Sequence, residues 1–119
     1  MKIILLLEDN PNDVELILRA LRGVVLVCPV HARGDYVTAL IENSFDMIVC
    51  DLNVHTFLEF ETVTLAKAKQ PNTPLIVLTG SLSPIQAQQS LLKGAHYIVM
   101  KNGFREDLKV IIKQILKLP

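Results

Sequence analysis

Five unbroken apolar runs, each of strand length, punctuate the chain: Ile3 to Leu7, Val24 to Val27, Met47 to Cys50, Leu75 to Leu78 and Tyr97 to Met100. A strand with one wetted face alternates apolar and polar residues. These runs do not, so they suit strands covered on both faces, the habit of parallel sheets. Between them lie helix-length segments with helical periodicity, such as Val14, Ile17, Leu18 and Leu21, or Phe104, Leu108, Ile111, Ile112 and Ile115. Asn10 before Pro11 with Asp13 following, and Ser83 before Pro84, each supply a capping side chain and then proline at the first helical position. Gly23 and Gly94 are placed to end helices. Gly34 to Asn43 and Phe57 to Lys69 read as weaker helices, the second with Thr62, Val63 and Thr64 in its middle. Strand and helix alternate five times, which predicts an α/β fold with a doubly wound five-stranded parallel sheet.

The 119 residues suit one domain spanning 1–119, and no internal repeat, low-complexity tract or linker divides them. Lys plus Arg equals Asp plus Glu at 12 each, so no global field favours nucleic acid or an anionic membrane. Polar function must therefore be local. Cys28 and Cys50 sit inside apolar runs, where reduced, buried thiols are expected, and a reducing cytoplasm fits them. The apolar runs fall short of the roughly 18 residues a membrane span needs, and "MKIILLL" meets acids at once rather than a cleavage site, so neither membrane insertion nor a signal peptide is expected. Without a basic patch interleaved with aromatics or a helix-turn-helix pattern, direct nucleic-acid binding is not expected either.

Two of the apolar runs end in acids: Glu8 and Asp9 after the first, Asp51 after the third. In a doubly wound sheet, ligands bind beyond the carboxyl ends of the strands where the strand order reverses, which for the order 2-1-3-4-5 falls between strands one and three. The fold itself therefore gathers three carboxylates at one crevice. Like charges so close raise one another's pKa unless a cation intervenes, and a hard divalent ion such as Mg²⁺ suits an all-oxygen donor set. Lys101 at the tip of the fifth strand adds a fixed cation, and Thr79, ending the fourth before Gly80, adds a hydroxyl. A carboxylate nucleophile, a metal site, an ammonium and a hydroxyl are the parts that phosphoryl transfer to an aspartate uses.

At this point "LLLEDNPND", "DMIVCDLN", "PLIVLTG" and "GAHYIVMK" together resemble the four motifs of response-regulator receiver domains, the CheY-like phosphoacceptors of two-component signalling. The resemblance covers essentially the whole chain. It implies a flavodoxin-like (βα)5 three-layer sandwich with strand order 2-1-3-4-5. By motif, Asp51 would be the phosphorylated aspartate, Asp9 would bind Mg²⁺ directly with Glu8 assisting through water, and Asn53 would give the metal its backbone carbonyl. Lys101 and Thr79 would contact the phosphoryl oxygens. Such a domain assists its own phosphorylation and dephosphorylation and is not a metabolic enzyme. Its implied partners are a sensor histidine kinase or histidine phosphotransfer protein and a downstream protein target. The responsive surface would be helix 4, strand 5 and helix 5, also a route to a homodimer.

The chain departs from the family pattern at four positions. His55 and Glu59 stand where proline and glycine are common, Asn102 where proline usually follows the lysine, and Ile98 where an aromatic often stands, with Tyr97 one place earlier. Alternation should point Ile98 and Tyr97 apart. These departures keep open a second reading, a degenerate receiver acting as a phosphorylation-independent interaction module. A third, an aspartate-nucleophile phosphatase, would want an acid at Asn53. His31, His55 and His96 lack metal-ligand spacing, although His55 is near enough in sequence to Asp51 to influence it.

Overall fold

The computed structural model describes residues 1–80, 83–101 and 104–119, with only the backbone of 104–106. Its elements run β1 (Ile3–Leu7), α1 (Pro11–Leu21), β2 (Leu26–Val30), α2 (Arg33–Glu42), β3 (Met47–Asp51), α3 (Glu61–Lys69), β4 (Leu75–Thr79), α4 (Pro84–Leu92), β5 (Tyr97–Met100) and α5 (Phe104–Ile115). All neighbouring strands pair in parallel, in the order β2-β1-β3-β4-β5. This is the expected doubly wound α/β sheet, flavodoxin-like in its layering.

Period-two alternation between two covered faces explains why the strands stay apolar up to their carboxyl tips. Ile4 and Leu6 of β1, Met47 and Val49 of β3, and Ile76 and Leu78 of β4 pack against Ile17 and Leu21 of α1 and Leu108, Ile111 and Ile112 of α5. The intervening Leu5, Leu7, Ile48, Cys50, Leu75 and Val77 face the opposite way, onto Tyr36, Ala39 and Leu40 of α2 and Val63 and Ala66 of α3. Fully burying each Leu, Ile or Val contributes about 1.5–3 kcal/mol, so both faces must be covered for the sheet to persist. Helix α4 is attached differently, with Ile85, Leu91 and Leu92 left exposed.

The capping signals form as expected. Asn10 Oδ1 accepts the N–H groups of Asn12 at 2.9 Å and Asp13 at 3.3 Å, and Ser83 and Gln86 close a reciprocal capping box on α4. Gly23 and Gly94 follow α1 and α4 with φ of +79° and +118°.

Two boundaries differ from the sequence expectation. β2 begins at Leu26 rather than Val24, because the N–H groups of Val24 and Val25 turn back to the Leu21 carbonyl at the end of α1. It then continues through Pro29, which lacks a donor but is tolerated because β2 is an edge strand. α3 begins at Glu61 rather than Phe57. Residue Phe60 holds φ at +62°, outside the helical range, and Phe57 and Glu61 donate to Val54 and Leu58 in turns. Phe57 serves the core instead, its ring meeting Tyr36 edge-on at 5.8 Å.

Candidate functional site

The carboxyl ends of β1, β3, β4 and β5 deliver the site, and hydrogen bonds hold the residues beyond them in register. Glu8 N–H still bonds the Val30 carbonyl at 3.1 Å, and Lys101 N–H bonds the Thr79 carbonyl at 2.9 Å. Glu8 continues the parity of Ile4 and Leu6, Asp51 that of Met47 and Val49, and Lys101 that of Val99, so all three belong to the α1–α5 face. Thr79, fully buried, continues the parity of Leu75 and Val77 on the other face.

Three carboxylates converge on the Lys101 ammonium. Its Nζ donates to Asp51 Oδ2 at 2.8 Å, to Asp13 Oδ2 at 3.0 Å and to Glu8 Oε1 at 3.1 Å. Glu8 Oε2 is also 2.9 Å from Nζ, but it receives no hydrogen bond from any described residue, although Glu8 is 0% exposed. Backbone donors complete the shell: Asn53 N–H reaches Asp51 Oδ1 at 2.9 Å, Asn10 N–H reaches Glu8 Oε1 at 3.1 Å, and His55 N–H reaches Asp9 Oδ2 at 3.1 Å. Asp9 itself is exposed, whereas Asp51 is 5% exposed.

Burial drives the Glu8 carboxyl up to about 7; the Lys101 hydrogen bond opposes this and the neighbouring Asp51 charge reinforces it. Burial also works against the Lys101 charge, but hydrogen bonds to Asp51, Glu8 and Asp13 outweigh it and hold the ammonium above the ordinary lysine value. Beside Asp51 in sequence, burial lifts the Cys50 thiol to about 12, so it stays protonated and packs as a small hydrophobe.

Glu8, Asp9 and Asp51 each place one carboxylate oxygen within 4.8 Å of the others. An all-oxygen set of this spacing fits a hard divalent cation. Glu8 Oε2, buried without a hydrogen-bond donor among the described residues, and the Glu8 pKa, raised by burial and by the Asp51 charge, mark a carboxylate that a cation would stabilise. Of the residues expected from sequence, Glu8, Asp9, Asp51 and Lys101 are brought together and Asn53 lies beside them through its backbone. Asp13 is the site residue that sequence reasoning overlooked, taken there for an ordinary first-turn acid. The signal was present: strand parity turns Glu8, Asp51 and Lys101 toward α1, and Asp13 stands in that helix's first turn.

Elsewhere, His55 contributes its backbone, and His31 lines a groove of about 550 Å³ with Glu8, Asp9, Val14 and Leu18. His96 lies at the far end of the sheet, its Nδ1 accepting the Leu75 N–H at 3.1 Å. Ile98 packs on the α2–α3 core, while Tyr97 stays half-exposed beside α5. The departure at Asn102 lies outside the described residues. The Glu59 position is exposed and precedes the left-handed Phe60.

The sequence model of a family described as the response regulator receiver domain matches residues 4–113. Among solved structures, a CheY-like response regulator receiver domain protein from Methanospirillum hungatei JF-1 is similar with a TM-score of 0.90 and 23% identity, covering 98% of this chain and 94% of that one. A BeF3-activated DrrB receiver domain gives 0.89 at 22% identity, covering 98% of each chain. A response regulator from Burkholderia pseudomallei, solved with a phosphorylated aspartic acid, calcium ion and citrate, gives 0.82 at 22%, covering 100% of this chain and 76% of that one. At such identities these likenesses speak to the fold. A search among curated proteins found no significant match. No described helix is long and apolar enough to cross a membrane. With four motifs, the strand order and a family match over residues 4–113 in agreement, this chain belongs to the response-regulator receiver domains of two-component signalling.

Proposed function

We propose that residues 1–119 form one receiver domain in which Asp51 accepts a phosphoryl group from the phosphohistidine of a sensor histidine kinase or histidine phosphotransfer protein, with Mg²⁺ required. The observation that carries this reading is the convergence of Lys101 Nζ, 2.8 Å from Asp51, with the three-carboxylate oxygen cluster. In the transfer, an Asp51 carboxylate oxygen attacks phosphorus and the phosphorus–nitrogen bond breaks. The electron pair leaves with the donor imidazole, which takes up a proton, and the product is an aspartyl phosphate. Glu8, Asp9, Asp51 and the Asn53 carbonyl would hold Mg²⁺, whose charge neutralises phosphoryl oxygens. Lys101 would donate to those oxygens, Thr79 would turn inward to do the same, and the burial of Asp51 limits attack by water. The ion's charge would also offset the burial, reinforced by the Asp51 charge, that raises Glu8.

The output surface in this reading is the one formed by α4, β5 and α5. Ile85, Leu92, Tyr97, Met100 and Val110 are exposed there, an apolar character that suits a downstream protein or a second copy of this chain. The two free cysteines are compatible with a reducing cytoplasm. A phosphorylation-independent interaction module is the weaker reading, because it has no use for three carboxylates hydrogen-bonded to one lysine. The test is incubation with phosphoramidate or acetyl phosphate plus Mg²⁺ followed by intact mass. The expected result is a gain of one phosphoryl group, abolished by Asp51→Asn and by chelation of the metal. An equal gain in Asp51→Asn, or none in the unmutated chain, would sink the assignment.

A further inference from the structure

We propose that Asp13 is a positioning residue that tethers the Lys101 ammonium over Asp51 while the other two carboxylates change partners. This rests on the reading of Asp51 as the phosphoacceptor. An ammonium has three N–H donors, and here Asp51, Asp13 and Glu8 each accept one, at 2.8, 3.0 and 3.1 Å. Two of these acceptors have a second task. Glu8 and Asp51 belong, with Asp9, to the oxygen cluster that suits a divalent cation, and Asp51 is the group that takes up phosphorus. Asp13 is not in that cluster. When the oxygens of Glu8 and Asp51 turn to new partners, Asp13 is the carboxylate left to hold Lys101.

Both ends of this tether are fixed. Asp13 stands in the first turn of α1, its N–H bonded to Asn10 Oδ1 at 3.3 Å, and the helix is anchored by the buried Ile17 and Leu21. Lys101 is fixed through its backbone N–H to Thr79. Between them lies a long, rotamer-rich stem, whose freedom would disperse the ammonium among many positions. The Lys101 side chain is 19% exposed, so a route toward solvent exists for it once Asp13 is removed. A charge-assisted hydrogen bond from a rigid helix start selects one position, and a preplaced cation is what a transferring phosphoryl group needs. Asp13 touches neither phosphorus nor the donor and acts through Lys101 alone.

The test uses the full chain and phosphoramidate with saturating Mg²⁺, the rate being read by intact mass. Asp13→Ala should slow phosphorylation of Asp51 about tenfold, the rate equivalent of one charge-assisted hydrogen bond. Asp13→Asn keeps an acceptor oxygen without the charge and should fall between the two. In a Lys101→Ala background the Asp13→Ala change should be silent. A merely structural role at the start of α1 would slow both backgrounds alike, and that outcome, or an unslowed Asp13→Ala, overturns the tether. A second readout does not depend on phosphorylation: in ¹⁵N-lysine-labelled protein at saturating Mg²⁺, which engages the Glu8 and Asp51 oxygens, the Lys101 ammonium signal should be sharp in the parent and lost in Asp13→Ala. If the parent takes up no phosphoryl group, the acceptor reading fails by itself, and this signal still decides whether Asp13 holds Lys101. An ammonium signal unchanged by Asp13→Ala overturns the tether.

Discussion

At the amino end of the sheet, side chains complete what the backbone leaves open, whereas at the carboxyl end the polar groups do not balance. Asp46 Oδ2 takes the Ile3 N–H at 2.9 Å, His96 Nδ1 takes the Leu75 N–H at 3.1 Å, and Lys67 Nζ reaches the Thr73 carbonyl at 3.0 Å. Gln70 Nε2 caps the end of α2 through the carbonyls of Leu40 and Asn43, at 3.0 and 2.7 Å. At the carboxyl end, three carboxylates share the Lys101 ammonium, Asp9 adds a fourth acid nearby, and Glu8 Oε2 lacks a hydrogen-bond donor among the described residues. The loop there holds Thr56 and Phe60 at positive φ. At the amino end, folding itself closes the hydrogen bonds. The carboxyl end keeps charge and backbone strain that a bound cation and phosphoryl group would draw on.

The contrast is broken most directly at Glu8, where the largest effect is expected. Burial raises this carboxyl from 4.5 to about 7. Below pH 4.5 the folded and unfolded chains both carry the proton, and ionisation costs nothing. Between 4.5 and 7 the unfolded chain releases it while the folded chain keeps it, so stability falls as pH rises. Above 7 the penalty is complete, on the order of 3 kcal/mol. Glu8→Gln removes that fall. Urea unfolding in EDTA should show parent and variant converging at low pH, with the variant more stable by that order above pH 7. A parent less stable at pH 4.5 than at 8, by a margin that Glu8→Gln leaves unchanged, would erase the contrast.

The amino end should respond with the opposite sign. His96→Ala leaves the Leu75 N–H without its acceptor, a loss of about 1–2 kcal/mol. Burial, with the nearby Lys67 charge, holds the His96 imidazole below its usual value of 6.5. The unfolded chain therefore takes up a proton first as pH falls through 6.5, and this contribution, intact above that pH, is lost toward the lower folded value. The pH dependence of the difference between parent and His96→Ala checks it: the difference should shrink below pH 6.5, and one that grows there contradicts the assigned acceptor role.

Much of this was legible in the sequence because it follows from periodicities. Unbroken apolar runs required two covered faces, alternation with helices required a parallel sheet, and the topology then brought Glu8, Asp9, Asp51 and Lys101 to one end. What stayed hidden depended on where individual amides go. Val24 and Val25 look like strand residues, yet the exit from α1 claims their N–H groups. Phe57 to Phe60 have the apolar character of a helix start, but tertiary packing of Phe57 and the left-handed Phe60 delay α3 to Glu61. Asp13 was masked by the opposite problem, since an acid in a first helical turn already has a sufficient local explanation.

The smallest effect distinguishes strain from mere irregularity. At the amino end, the positive φ of +118° after α4 is given to Gly94, where an added Cβ would meet Lys67 Cγ at 2.6 Å. At the carboxyl end, φ of +75° falls on Thr56, in the third position of a turn closed by the Phe57 N–H to the Val54 carbonyl at 3.2 Å. A β-branched residue is poorly suited to that position, which favours glycine or asparagine. Thr56→Gly would relieve the strain but also loosen the unfolded chain, so part of the gain would cancel. Thr56→Asn tolerates the left-handed conformation while keeping a side chain, and it should stabilise the fold by about 0.5–1 kcal/mol in urea unfolding. Gly94→Ala should destabilise it by about 1–2 kcal/mol in the same assay. A Thr56→Asn variant no more stable than the parent would mean that the turn at Thr56 stores no strain, leaving Phe60 and the crowded carboxylates to distinguish the two ends.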